Sequence, residues 1–406
     1  DSIAIMLKNC PEWIFMEQAA LALGIIVVPL YNNDRADNIA YILNQAEVKL
    51  LLLGGPEHLQ ELVVIQDQVK QLRVIITLET IDEQRTQALK NINLYPVNQV
   101  FKQLDAAGAF SSDDYIHFSG QADDLATIVY TSGTTGDPKG VMLSHYNILS
   151  NTWSAINAVP CRNDDLFLSF LPLSHMFERT AGYYIPMMSG AEVAYARSIE
   201  DLGADLLSLR PTVLVTVPRI FERVYFKIKS QLEKKPRLAQ VLFAMTVQIG
   251  WKRFQYLQHK QRWFPGLLLW PLLNHLVAKK ITAKLGGRIR VAISGGAPLP
   301  NEIARAFIGL GVTITQGYGL TETSPVISTN KLEDNDPFSV GQILPGIKIR
   351  LSDQGELLVK SPGVMQGYWK HRQATEAVID EQQWLHTGDK VELRNDHLYI
   401  TGRVKE

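Results

Sequence analysis

Short apolar runs alternate with helix-length amphipathic stretches through most of this chain, and that alternation constrains its fold more than any single residue does. Residues 2–7, 24–30, 48–53 and 73–78 are runs rich in Ile, Val and Leu and read as buried strands. Residues 125–130, 140–143, 166–171, 191–196, 213–217, 288–294 and 312–316 continue the series. Helices are expected between them. One starts at Pro11, where proline's fixed φ suits the first helical position, and stops at Gly24. Another covers residues 146–158. Repeated strand–helix–strand order predicts an α/β fold of mainly parallel sheets flanked by helices.

The pattern changes near residue 325. Short strands are expected at residues 347–351, 356–360, 391–393 and 397–401, with Asp353-Gln354-Gly355 and Asn395-Asp396 as hairpin turns. The expected organisation is an α/β body over residues 1–324, with a helical insert at about 223–285, then a small antiparallel, barrel-like β module over 325–401. A hydrophobic content of 46% supports a buried core. Forty basic and 41 acidic residues nearly cancel, so no global field draws the chain to nucleic acid. Cys10 and Cys161 have neither metal-ligand spacing nor a disulfide framework, which fits a reducing, cytoplasmic setting. There is no signal peptide in the sequence as it stands. It begins at Asp1 and stops at Glu406 in mid-pattern, and both ends are expected to continue into a longer protein.

The chemistry concentrates in a loop. Thr131-Ser132-Gly133-Thr134-Thr135-Gly136-Asp137-Pro138-Lys139-Gly140 follows a strand and is built of small and hydroxylated residues with one lysine. Small residues let backbone approach an anion, and hydroxyls and N–H groups then donate to phosphate oxygens. Lys139 is followed by Gly140, not by the Ser or Thr that holds magnesium in the common NTPase loop, so the loop is a phosphate cradle of another kind.

Four further segments share that character. Ser294-Gly295-Gly296-Ala297-Pro298 offers flat backbone for a planar base, or is simply a turn. In Gln316-Gly317-Tyr318-Gly319-Leu320-Thr321-Glu322-Thr323 the ring can stack on a base, Thr321 can reach a phosphate and Glu322 can hold magnesium; the alternative is a turn with Thr321 capping a helix. Asp389, in Thr387-Gly388-Asp389, suits the two hydroxyls of a ribose, against the alternative of an ordinary Gly-Asp turn. Arg403, in the closing Gly402-Arg403-Val404-Lys405-Glu406, can reach ribose or phosphate or belong to a solvated charge cluster.

These motifs, in this order, resemble those of the adenylate-forming enzymes: acyl-CoA synthetases, luciferases and amino-acid adenylation domains. Leu171-Pro172-Leu173-Ser174-His175-Met176-Phe177-Glu178-Arg179, Val217-Pro218-Arg219-Ile220-Phe221-Glu222 and the helical insert resemble the long-chain fatty acyl-CoA synthetase branch. The aspartate of amino-acid-activating relatives, in a Phe-Asp pair downstream of the His175 region, has no counterpart here.

The resemblance implies a two-step reaction. A fatty acid carboxylate attacks the α-phosphate of ATP, and the thiol of coenzyme A then displaces AMP; an acyl carrier protein as acceptor, or a non-catalytic nucleotide-binding protein, are the alternatives. It implies that Thr131 and Glu322 place Mg2+, and that Ser132, Gly133, Thr134, Thr135, Gly136 and Lys139 surround the β and γ phosphates. Thr321 would contact the α-phosphate, and Gly296, Gln316, Gly317 and Tyr318 would frame the adenine. Asp389 and Arg403 would hold the ribose, and His175 would lie near the carboxylate, where the alternative is a core histidine. Residues 402–406 would form a hinge stub, with Lys405 at the hinge, and a C-terminal domain carrying a second adenylation lysine would follow the chain. Separately, residues 263–273 are intensely apolar and flanked by Lys252, Arg253, Lys260, Arg262, Lys279, Lys280 and Lys284. They are too short and too proline-broken to span a bilayer, and predict either peripheral contact with the inner membrane face or a helical hairpin packed on the body.

Overall fold

A computed structural model describes residues 1–81, 88–106, 119–131 and 136–404. It divides into two compact units, the first formed by Asp1–Ile148, Pro172–Met176 and Gly363–Glu381, the second by Leu149–Leu171, Phe177–Pro362 and Gln382–Glu406.

The first unit is built on an eight-stranded sheet. Its strands are β1 (Ser2–Met6), β2 (Ile26–Pro29), β3 (Val48–Leu53), β4 (Val74–Thr77), β5 (Asn93–Pro96), β6 (Leu125–Thr131) and β7 (Lys139–Ser144), with the two-residue β17 (Gly367–Tyr368) beyond β7. The order is β17-β7-β6-β2-β1-β3-β4-β5. From β6 to β5 every pairing is parallel, which is why these strands are near-continuous apolar runs covered on both faces. β7 and β17 then add antiparallel edges. Thr127 is polar in the middle of β6, and its hydroxyl is satisfied by the Val27 carbonyl at 2.6 Å. Helix Pro11–Ala22 begins at the proline, and Gly24, with φ of 66°, turns the chain into β2 as expected.

The second unit holds a seven-stranded sheet, comprising β8 (Leu166–Ser169), β9 (Glu192–Tyr195), β10 (Val213–Thr216), β11 (Val291–Ser294), β12 (Ile314–Gly319), β13 (Val326–Thr329) and β14 (Gln342–Ile343). The run β12-β11-β10-β8-β9 is parallel, and β13 and β14 join it antiparallel. A four-stranded antiparallel sheet follows, ordered β15 (Lys348–Leu351), β16 (Glu356–Lys360), β18 (Leu385–Arg394), β19 (His397–Arg403). Gly355 and the Asn395-Asp396 pair all take positive φ, so both predicted hairpin turns form. The insert contains helices Pro218–Glu233 and Arg237–Leu257. The latter crosses helix Asn301–Gly309 so closely that a methyl group on Gly250 would overlap the Gly309 carbonyl oxygen. The α/β architecture with mainly parallel sheets is the one the alternating pattern predicts.

Candidate functional site

In the first unit the glycine-rich loop is the connection between antiparallel neighbours, since Thr131 at the end of β6 pairs with Lys139 at the start of β7. Ser132, Gly133, Thr134 and Thr135 lie outside the described residues. Thr131 and Lys139 are half-buried, and Gly136 is exposed. β7 is held from its other side: Tyr368 pairs with Val141, and the Trp369 N–H donates to the Gly140 carbonyl at 2.7 Å. Gly140 has to be glycine, because a Cβ there would meet Ile128 at 2.6 Å and the Tyr130 ring at 3.0 Å. The Lys139 ammonium stands 5.3 Å from the centre of the Tyr368 ring, a cation–π contact at the mouth of the loop. His175 belongs to this unit. The residue keeps part of its surface open to solvent, while packing of the surrounding chain desolvates the imidazole, pushes its pKa below the usual histidine value and favours the neutral form.

In the second unit β11 delivers Ser294 and then Gly295-Gly296. Gly296 has φ of 77°, and a Cβ on Gly295 would come 2.8 Å from the Phe177 ring, so an aromatic face backs this glycine turn. The neighbouring β12 ends in Gln316-Gly317-Tyr318-Gly319. The Gln316 side chain is engaged within the protein: its Oε1 accepts from Leu299 N–H at 2.9 Å, and its Nε2 donates to the Pro337 carbonyl at 2.6 Å. Gly319 is required by the Pro325 carbonyl, which a methyl group would overlap. Thr321–Thr323 form a 3-10 turn with Thr321 and Glu322 half-buried. The cap, the alternative role for Thr321, is supplied by Thr323, whose hydroxyl accepts from Leu320 N–H at 3.1 Å and donates to the Pro325 carbonyl at 2.6 Å. Thr321 is therefore not spent on capping.

Three residues from separate motifs converge here. Tyr318 Oη donates to Asp389 Oδ2 at 2.6 Å, and Arg403 Nε lies 2.9 Å from Asp389 Oδ1. Asp389 is buried, and it faces Arg403 because the two are register partners in β18 and β19. Burial, reinforced by the Asp389 charge, raises the Tyr318 pKa, so its hydroxyl stays protonated and donates. The expected Gly-Asp turn is instead a kink within the long strand Leu385–Arg394, with Gly388 at φ of 74°. Lys405 lies outside the described residues. Among those described, no group of three or more His, Cys, Asp or Glu could hold a metal by itself. A Mg2+ ion here would have to take most of its octahedral shell from phosphate oxygens and water, which is its usual habit in nucleotide sites.

The AMP-binding enzyme family matches residues 1–369. The chain is 32% identical over 405 residues to the protein named "Long chain acyl-CoA synthetase 6, peroxisomal" of Arabidopsis thaliana, covering 96% of this chain and 56% of that one. It is 32% identical over 418 residues to "Long-chain-fatty-acid--CoA ligase FadD15" of Mycobacterium bovis, covering 100% of this chain and 66% of that one. The chain thus spans between about half and two thirds of these relatives. Among solved structures, ATP-bound MatB from Rhodopseudomonas palustris superposes with a TM-score of 0.71 at 24% identity, covering 99% of this chain and 68% of that one. The N-terminal domain of FACL13 from Mycobacterium tuberculosis gives 0.70 at 21% identity, covering 100% and 86%. These two likenesses carry the fold.

Proposed function

The chain belongs to the AMP-binding enzyme family, and from that premise we propose that it is the nucleotide-binding part of a long-chain fatty acid:CoA ligase. A carboxylate oxygen of the acid attacks the α-phosphorus of ATP, the bond to the bridging oxygen of the β-phosphate breaks, and pyrophosphate leaves. The thiol of coenzyme A then attacks the acyl carbon and expels AMP. The observation that carries the reading is the Tyr318–Asp389–Arg403 cluster. It presents a buried, oriented carboxylate between an aromatic ring and a guanidinium, the chemistry that takes a ribose beside a stacked base. In this reading Asp389 and Arg403 hold the ribose, and Gly296, Gln316 and Gly317 frame the adenine with Tyr318.

Around the triphosphate, Lys139 offsets charge on the β and γ phosphates, the loop hydroxyls of Ser132, Thr134 and Thr135 donate hydrogen bonds to them, and Thr321 donates to the α-phosphate. Thr131 and Glu322 would hold Mg2+, which would supply positive charge to the departing pyrophosphate. His175, favoured neutral, lies by the carboxylate. The long-chain acid is supported by the names of the relatives, and the absence of the amino-acid-binding aspartate from this sequence counts against an amino acid.

Three experiments test the reading. Titration calorimetry of this chain with ATP should show binding that Asp389→Ala weakens; no binding, or binding indifferent to that change, would reject the site. Adenylate detection with palmitate, in this chain and in one extended by a C-terminal domain, then separates an enzyme from a nucleotide sensor. We expect adenylate to form well only in the extended chain. Thioester formation by the extended chain, measured with coenzyme A and then with acyl carrier protein, distinguishes the two acceptors.

A membrane surface is the second element of the proposal. Trp263, Leu268 and Leu272 are 53%, 72% and 57% exposed. Lys252 stands over the Phe264 ring and Arg253 over Trp270, so cations flank exposed apolar side chains, as they do in interfacial segments. No helix among the described residues is long and apolar enough to cross a membrane. A cytoplasmic protein peripheral to the inner membrane face fits this. Flotation with anionic liposomes should fall when Trp263, Leu268 and Leu272 become Gln; unchanged partitioning removes the idea.

A further inference from the structure

Glu356 is the first residue of β16 and has no part in the motifs that drew attention to the site. Its carboxylate nevertheless holds the kink that presents Asp389. Oε1 accepts from the Gly388 N–H at 2.9 Å, and Oε2 lies 3.0 Å from His386 Nδ1. The kink needs such an acceptor. Gly388, at φ of 74°, breaks the regular ladder between β16 and β18, whose register shifts between Glu356 and Leu358. Its N–H therefore has no carbonyl partner across the sheet, and the side chain of Glu356 supplies one. The other polar groups of the kink are held too. Thr387 donates its hydroxyl to the Leu357 carbonyl at 2.8 Å and accepts from Asp389 N–H at 3.2 Å, and the Gly388 carbonyl accepts from Val404 N–H at 2.9 Å. The Glu356 side chain is only 15% exposed, so its bond to a backbone N–H is shielded and charge-assisted.

We propose that Glu356 is a positioning residue for ribose recognition: by clamping Gly388 and His386 it fixes the backbone from which the Asp389 carboxylate is aimed between Tyr318 and Arg403. The inference rests on the reading of Asp389 as the ribose ligand. Glu356 touches no nucleotide in this scheme and acts through Asp389 alone. It should therefore govern discrimination between a ribose and a sugar without hydroxyls, and leave contacts to base and phosphates alone.

The test measures affinities of this chain for ATP and for 2′,3′-dideoxy-ATP by titration calorimetry. Wild type should prefer ATP, and Asp389→Ala should abolish the preference. Glu356→Ala should weaken ATP about tenfold, the effect of losing one hydrogen bond to a charged group, while dideoxy-ATP binding stays near wild type. Glu356→Gln, which keeps an acceptor for Gly388, should restore most of the preference. Should Glu356→Ala fail to fold, Glu356→Asp carries the test: one methylene short, it keeps the charge but not the reach, and should lose preference in the same sense. A folded Glu356→Ala or Glu356→Asp with the wild-type preference overturns the proposal while leaving the ribose reading of Asp389 intact. A preference unaffected by Asp389→Ala overturns both.

Discussion

Glu178 makes the sharpest prediction, because a carboxyl group is sealed in the second unit with almost nothing to compensate a charge. It is 1% exposed, Oε1 accepts from the Ser169 hydroxyl at 2.6 Å, and Oε2 has no hydrogen-bond partner. Gly182 makes the room, since a methyl group there would overlap Oε1. Burial raises the carboxyl from the ordinary 4.5 to about 8, against the smaller opposing effect of Ser169. The folded state therefore keeps a proton that the unfolded chain has released. Stability from this group is fully present below pH 4.5 and is lost as pH rises through about 8, at about 1.4 kcal/mol per pH unit, to a total of about 5 kcal/mol. Glu178→Gln keeps the shape and the acceptor for Ser169 and cannot ionise. Urea midpoints of both proteins at pH 5 to 9 isolate the group, because every other titration cancels in the difference. Wild type should lose ground to the variant steadily up to about pH 8 and then no further. Infrared spectra at pH 7 should show a protonated-carboxyl stretch that the variant lacks. A difference independent of pH, or one that grows in favour of wild type as pH rises, would refute a neutral buried acid.

The other expectations concern packing and the site. Gly250→Ala should cost about 3 kcal/mol, because the Gly309 carbonyl blocks the new methyl group and neither helix can move without disturbing the core; thermal unfolding reads this directly. Tyr318→Phe removes the hydroxyl donated to buried Asp389 and should lower both stability and ATP affinity, by about 1–3 kcal/mol in total, while base stacking persists; calorimetry with ATP and a melting curve divide the loss. Tyr368→Leu should weaken ATP binding by about 0.5–1 kcal/mol through loss of the ring beneath Lys139, and Tyr368→Phe should not; equal effects of the two changes would refute a role for the aromatic face.

How far the sequence discloses all this depends on how local each cause is. Strands buried on both faces are continuous apolar runs, so residues 48–53 and 356–360 are recognisable without a partner in view, and Pro11, Gly24 and Asn395-Asp396 mark boundaries by their own backbone preferences. Asn93–Pro96 escapes that logic: it pairs on one side only, and a four-residue edge strand ending in proline carries little apolar signal. Gly367–Tyr368 escapes it too, because two residues have no periodicity and their burial is conferred by Met142 and Val141 more than 220 residues earlier. The site follows the same division. Tyr318, Asp389 and Arg403 are each legible as chemistry, but the expected strands at 391–393 and 397–401 stop short of Asp389 and Arg403, and it is the register shift between Lys390 and Val391 that makes those two partners across the ladder. The bond from Tyr318 to Asp389, 71 residues away, is set by how β12 lies relative to β18, which no local pattern encodes. Glu356 and Glu178 are the instructive cases. In the sequence each is one charged residue among 41 acidic ones, with solvation as the default expectation. What separates them from that background is a ladder broken at Gly388 in one case and a notch left by Gly182 in the other. Both glycines are visible in the sequence, but their meaning lies in which carboxylate the fold brings to them.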